Sequence, residues 1–151
     1  MILKSLDHLN LISKKVADNL SESDCIFLLG EIGVGKTTFT RYLINYFQKR
    51  EGVKQTEVLS PTFNLLYEYD IKKLKVMHYD LYRIKNKKDL DLLGIFKEDI
   101  NTIKIIEWPE LVETNLANRL EIHLSYSSKE NERKLSFVGY GKWKDINQNE
   151  L

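Results

Sequence analysis

A single cysteine, Cys25, occurs among the 151 residues. One thiol cannot close an internal disulfide, so a reducing compartment is the expected setting. Cys25 sits in the apolar run CIFLLG, where it reads as a small core filler. Prolines number two and glycines seven, and no linker-like tract or internal repeat divides the chain. One compact domain over residues 1–151 is therefore expected. Neither charge sign dominates: Lys and Arg total 23 against 22 Asp and Glu, a net +1. No global field is available to hold nucleic acid or an anionic membrane. The best local basic candidate is Lys85–Lys88 with Arg83 just before it, and it reads as a solvated loop. No apolar run approaches the ~20 residues needed to span a bilayer. The opening MILKSLDHLNLISKK lacks the apolar core and small-residue cleavage site of a secretory leader. A cytoplasmic protein with no membrane partner is expected.

Apolar residues make up 42% of the chain and charged residues 30%, a balance that can bury a core. Leu6, Leu9, Ile12, Val16 and Leu20 recur at helical spacing behind Ser5, a candidate N-cap. Cys25 to Leu29 is a short apolar run ended by Gly30 and predicts a buried strand. The helical pattern returns from Lys36 to about Lys49. Leu65–Tyr69 and Leu74–Tyr79, separated by DIKK, predict a hairpin. Asp89–Leu93 predicts a short helix ended by Gly94. Thr102–Ile106 is another buried-strand candidate, and Leu120–Tyr126 and Lys134–Gly139 are two strand-like runs joined by a polar turn. The last dozen residues are polar and expected to be loosely ordered, roughly the final ten most of all. The mixture predicts an α/β layered domain with some antiparallel strands.

The segment GEIGVGKTT fits G-x-x-x-x-G-K-[ST] from Gly30 to Thr37, behind a predicted strand and opening a predicted helix. Each residue type has a physical task. Gly30, Gly33 and Gly35 permit a tight loop whose backbone N–H groups, including that of Val34, turn inward. With the following helix N-terminus they form an anion site. Lys36 adds a positive charge for the β- and γ-phosphates, the Thr37 hydroxyl can ligate Mg²⁺, and Thr38 adds a hydroxyl near the α-phosphate. The expected ligand is a nucleoside triphosphate.

Such a site needs a carboxylate at the end of another apolar strand. Two are offered: Asp80 after Val76–Tyr79, and Glu107 after Ile103–Ile106. One can hold Mg²⁺ directly or through water, while the other positions the attacking water or contacts the metal's outer shell. His78 reads as a core or strand-face histidine. Ser60-Pro61-Thr62 has a stiff proline between two hydroxyls and resembles in position a segment that senses the γ-phosphate. Asn86–Asp89 matches the guanine-reading N-K-x-D pattern. It stands only six residues after Asp80, with no Asp-x-x-Gly before it, so ATP is preferred over GTP.

The ordered motifs GEIGVGKTTFTRYL, LSPTFNLLYEYD, MHYDLYRI, DLDLLGIF and KIIEWPEL closely resemble the TsaE family, also called YjeE. These are bacterial ATPases of the pathway that makes threonylcarbamoyladenosine in tRNA. The resemblance is strong from Gly30 to Pro109 and looser over Leu120–Val138. It implies a P-loop domain with a mostly parallel central sheet, added antiparallel strands and flanking helices. It implies ATP or ADP on Gly33, Val34, Gly35, Lys36, Thr37 and Thr38, with Thr37 and Glu107 as Mg²⁺ ligands. Asp80 resembles the acid needed for hydrolysis, so Asp80, Lys36 and Glu107 form the implied catalytic set. Ser60 and Thr62 fall in the switch segment, and Trp108 matches a functionally sensitive tryptophan. Arg133 aligns with a tail arginine near the nucleotide, and Leu6 with the adenine edge. The implied partners are TsaD and TsaB, with tRNA reached through that complex, and weak hydrolysis is implied for the chain alone. Departures are minor: Glu31 and Ile32 occupy variable loop positions, and His78-Tyr79 varies a family aromatic pair. A small-molecule kinase is the alternative, although Arg41, Arg50, Arg83, Arg119 and Arg133 form no lid-like cluster. A non-catalytic nucleotide-sensing adaptor is the other.

Overall fold

The computed structural model describes residues 1–112, 116 and 118–146. Seven strands form one sheet: β1 (Ile2–Leu3), β2 (Cys25–Leu29), β3 (Leu66–Ile71), β4 (Leu74–Asp80), β5 (Thr102–Glu107), β6 (Arg119–Tyr126) and β7 (Arg133–Tyr140). Among the described residues, helices α1 (Leu6–Asn19), α2 (Lys36–Arg50) and α3 (Lys87–Leu92) complete the regular structure, with short 3₁₀ turns at Pro109–Leu111 and Gly141–Trp143. The strand order is β1-β7-β6-β2-β5-β4-β3. The central strands β6, β2, β5 and β4 run parallel. The outer strands β3, β7 and β1 pair antiparallel. This is the expected mixed α/β architecture.

The central strand β2 is apolar throughout because both of its faces are covered. Ile26 and Leu28 join the core under α1 and α2, with Ile12, Val16, Phe39, Leu43, Ile103 and Ile105. Cys25 and Phe27 join the opposite core, with Tyr79, Leu81, Leu90, Ile95 and Ile106. Burial raises the pKa of the Cys25 thiol well above its ordinary value, which leaves it an inert filler. The α1 cap is as expected: the Ser5 hydroxyl accepts from the His8 N–H at 3.1 Å.

Two local features differ from the sequence expectation. The short helix α3 begins at Lys87, two residues before the expected Asp89, because Asn86 is its N-cap and accepts from the Asp89 N–H at 3.1 Å. The guanine-like N-K-x-D is thus a helix cap, with Lys85, Lys87 and Lys88 exposed around it. The polar tail carries an anchor: Trp143 is buried and its indole N–H donates to Asp24 at 3.3 Å. The Lys142 ammonium also pairs with Asp24. Residues 147–151 of the expected loose tail lie outside the described residues. Among the described residues no helix is long and apolar enough to cross a membrane.

Candidate functional site

The parallel register brings four loops to one edge of the sheet. Leu28 of β2 pairs with Glu107 of β5, and Asp80 of β4 pairs with the same Glu107. Loops leaving the carboxyl ends of parallel strands converge here, the usual place for a ligand crevice in such a sheet. They enclose a cleft of about 260 Å³. Gly33, Gly35, Lys36, Thr37 and Thr38 line one side, and Ser60, Thr62, Asp80, Glu107 and Trp108 the other.

The loop between β2 and α2 has the backbone its glycines predict. Gly30 has φ 141° and Gly35 φ 121°, values a side chain strongly disfavours. A Cβ on Gly30 would also run into the Leu124 carbonyl. Gly35 is the N-cap of α2 and offers no side-chain cap, so the first N–H groups of the helix are left for a ligand. Lys36 is buried, and its ammonium donates to the carbonyls of Gly30 at 2.6 Å and Glu31 at 2.9 Å. The same ammonium lies 4.1 Å from the centre of the Trp108 ring, a cation–π contact. Burial lowers the pKa of Lys36 from its ordinary value, opposed by the charges of Glu107 and Asp80.

The two acids have different partners. Glu107 is buried, and its Oε1 accepts from the Thr37 hydroxyl at 2.9 Å. The same oxygen lies 2.8 Å from His78 Nε2. Asp80 instead holds the segment 60–62. Its Oδ2 accepts from the Thr62 hydroxyl at 2.7 Å, and the Ser60 hydroxyl lies 3.2 Å away. The two hydroxyls are 2.8 Å apart. Oδ1 accepts from the Tyr82 N–H at 3.0 Å. Trp108 has left-handed backbone, φ 58° and ψ 57°, an uncommon state for a bulky residue. This turn carries the indole over Lys36 and against Tyr82, with ring centres 4.9 Å apart.

Of the residues expected from sequence, three stand apart from the cleft lining. Val34 is buried in the core, and its backbone N–H donates to the Glu31 carbonyl at 3.3 Å. Leu6 opens α1 and is exposed. Arg133 stacks on Tyr126, 4.5 Å from its ring centre, and donates to the carbonyls of Glu130 and Glu132. Tyr126 in turn donates to the Ile32 carbonyl at 2.9 Å, so Arg133 reaches the phosphate loop only through a neighbour. Sequence reasoning missed Tyr82 and Tyr126 and placed no task on His78. The one available signal was position: Tyr82 follows Asp80 by two residues and His78 precedes it by two.

Comparison with known proteins bears on this site. Residues 3–135 match the family model described as threonylcarbamoyl adenosine biosynthesis protein TsaE. The chain is 35% identical to a TsaE protein of Rickettsia conorii over 137 residues, covering 90% of this chain and 75% of that one. It is 32% identical to the Bacillus subtilis TsaE protein over 133 residues, covering 86% and 78%. The crystal structure of Bacillus subtilis YdiB superposes with a TM-score of 0.68 at 25% identity, covering 94% of this chain and 85% of that one. A glycine-rich loop backed by Glu107, the Ser60–Thr62 hydroxyls held by Asp80 and a match across most of the chain lead to one assignment: the chain belongs to the TsaE family.

Proposed function

We propose that this chain is the ATPase component of tRNA threonylcarbamoyladenosine biosynthesis, acting as one P-loop domain that binds ATP with Mg²⁺ and hydrolyses it. The observation that carries the reading is the Thr37–Glu107 hydrogen bond of 2.9 Å directly beneath the phosphate loop. A threonine that donates to a carboxylate keeps its lone pairs for a cation, and both groups are hard oxygen donors of the kind Mg²⁺ selects. Thr37 and Glu107 would hold the ion. Bound there, the ion would supply charge neutralisation for the phosphates. The chain's own residues do the rest. The N–H groups of Gly33, Val34 and Gly35 and of the first turn of α2 cradle the phosphates. Lys36 exchanges its loop carbonyls and the Trp108 ring for phosphate oxygens. Thr38 hydrogen-bonds the α-phosphate. Asp80 holds Ser60 and Thr62 where the γ-phosphate and the attacking water meet. The place of Leu6 at the adenine edge and of Arg133 near the nucleotide rests on the family resemblance alone.

The site has positioning and charge stabilisation to offer, and no nucleophile suited to acyl transfer. Hydrolysis drives turnover of a separate transferase, for which the resemblance implies the TsaD–TsaB complex, with tRNA reached through it. The test is threonylcarbamoylation of tRNA by TsaD and TsaB, with and without this chain and ATP. Stimulation that needs both is expected. No stimulation by wild-type protein overturns the reading, and phosphate transfer to a small acceptor would favour the kinase alternative.

A further inference from the structure

We propose that His78 is a positioning residue of the nucleotide site: its Nε2–H fixes the Glu107 carboxylate in the orientation that serves Thr37 and the magnesium–nucleotide complex. The inference rests on the reading of Thr37 and Glu107 as the metal site.

Three observations carry it. First, His78 shares a sheet face with the site. It precedes Asp80 by two residues on β4, and Asp80 is in register with Glu107 on β5, so the imidazole reaches diagonally across the strand pair to Glu107. Second, the histidine is completely buried, with Nε2 2.8 Å from Glu107 Oε1 and with Nδ1 lacking any partner among the described residues. An ionised carboxylate only accepts, so Nε2 carries the proton and Nδ1 is an orphan. Val76, one step back along β4 on the same face, and Ile105, the direct partner of His78 on β5, are both apolar and buried. An aliphatic side chain would fill this place with no orphan atom, so packing alone gives no reason for a ring nitrogen here. Third, the two donors meet on a single oxygen: His78 and Thr37 approach Oε1 at 2.8 and 2.9 Å, whereas Oε2 has only a longer approach of 3.3 Å from Thr37. One oxygen is held by both donors, and the other remains for the cleft that Glu107 lines. A ligand held by an outer partner in this way binds its metal in one fixed geometry.

The experiment compares the full chain with His78→Leu, His78→Gln and His78→Asn, reading the Mg²⁺ midpoint for ADP binding alongside ADP binding in EDTA. His78→Leu is expected to raise the Mg²⁺ midpoint by about tenfold or more while metal-free binding moves by less than about twofold, the pattern of a lost outer partner. Glutamine, whose amide N–H reaches the ε position, recovers most of the affinity, and the shorter asparagine does not. If the leucine variant does not fold, the glutamine–asparagine pair decides: equal midpoints overturn the proposal. A second readout needs no metal. Nitrogen-15 spectra of the wild-type imidazole are expected to show the proton on Nε2, with a resonance that moves in Glu107→Gln. A proton on Nδ1 instead overturns the proposal. A wild-type chain whose ADP binding ignores Mg²⁺ sinks the metal-site reading itself. A Mg²⁺-responsive wild type with an unchanged His78→Leu midpoint sinks only the role of His78.

Discussion

At the scale of single residues, the two carboxylates divide their labour through their hydrogen bonds. Glu107 is tied to Thr37 in the first turn of α2, whereas Asp80 is tied to Thr62, Ser60 and the Tyr82 N–H. Asp80→Asn keeps the shape but weakens its hold on the hydroxyls, because a charge-assisted bond is about twice as strong as a neutral one. Hydrolysis with partners present is expected to fall by ~10²-fold, the scale seen when one aligned transition-state contact is lost. ADP affinity should stay nearly unchanged. Intact turnover in a single-turnover assay would count against this role for Asp80. Lys36 gives a pH prediction. Burial depresses its pKa below the ordinary 10.5 in the free protein. Bound phosphates raise it again, so the complex holds more protons than the free chain between the two values. Affinity must therefore fall as pH rises through that window, which opens below the ordinary lysine range, and binding there takes up a proton. Calorimetry in buffers of different ionisation enthalpy reads that uptake directly, and its absence would remove Lys36 as the phosphate ligand.

At the scale of elements, local pattern and distant pairing part company. The strand Cys25–Leu29 and the helix from Lys36 were legible because an apolar run, a glycine loop and a 3.6-residue period all lie within one short stretch. The two-residue strand β1 has too few residues for any period to register. The Asp80–Glu107 register and the His78–Glu107 contact join β4 to β5, residues 29 apart in the latter case, and no local signal encodes such a partner. The tail shows the same limit. Its composition is polar, yet Trp143 fills a place prepared by Asp24, far away in the chain. Gly139 makes this docking possible, because a Cβ there would run into the Trp143 carbonyl. Gly139→Ala is thus expected to dislodge the Gly141–Trp143 turn at a cost of about 1–3 kcal/mol, the range for forced overpacking. Hydrogen exchange should rise at Asp24 and at the Gly139 end of β7 while ADP binding stays nearly the same, since that end lies away from Arg133 and from the cleft lining. A stable variant with Trp143 still buried would refute the packing argument.

At the scale of the whole molecule, the nucleotide is the piece that would join parts the sheet keeps separate. The cleft is built from the ends of β2, β4 and β5 and from the segment at Ser60–Thr62. The β4 and β5 ends back onto both cores, one under α1 and α2 and the other around Tyr79 and Ile106. A ligand seated there binds the folded chain and has no counterpart site in the unfolded one, so it stabilises the whole fold by mass action. At a hundred times its dissociation constant the gain is about 2.7 kcal/mol. For a domain of roughly this length each kcal/mol is worth about 2–4 °C, so Mg²⁺–ADP should raise the melting temperature by about 5–10 °C. Chelating the metal should reduce the shift at fixed ADP, because Thr37 and Glu107 then lose their share of the binding. Lys36→Ala should reduce it further while leaving the ligand-free melting temperature nearly unchanged or higher, since that ammonium is desolvated against two carbonyls in the free protein. Differential scanning fluorimetry across a Mg²⁺–ADP titration gives all three numbers. A melting temperature indifferent to Mg²⁺–ADP would mean that the cleft at the strand ends is not where this fold takes its nucleotide.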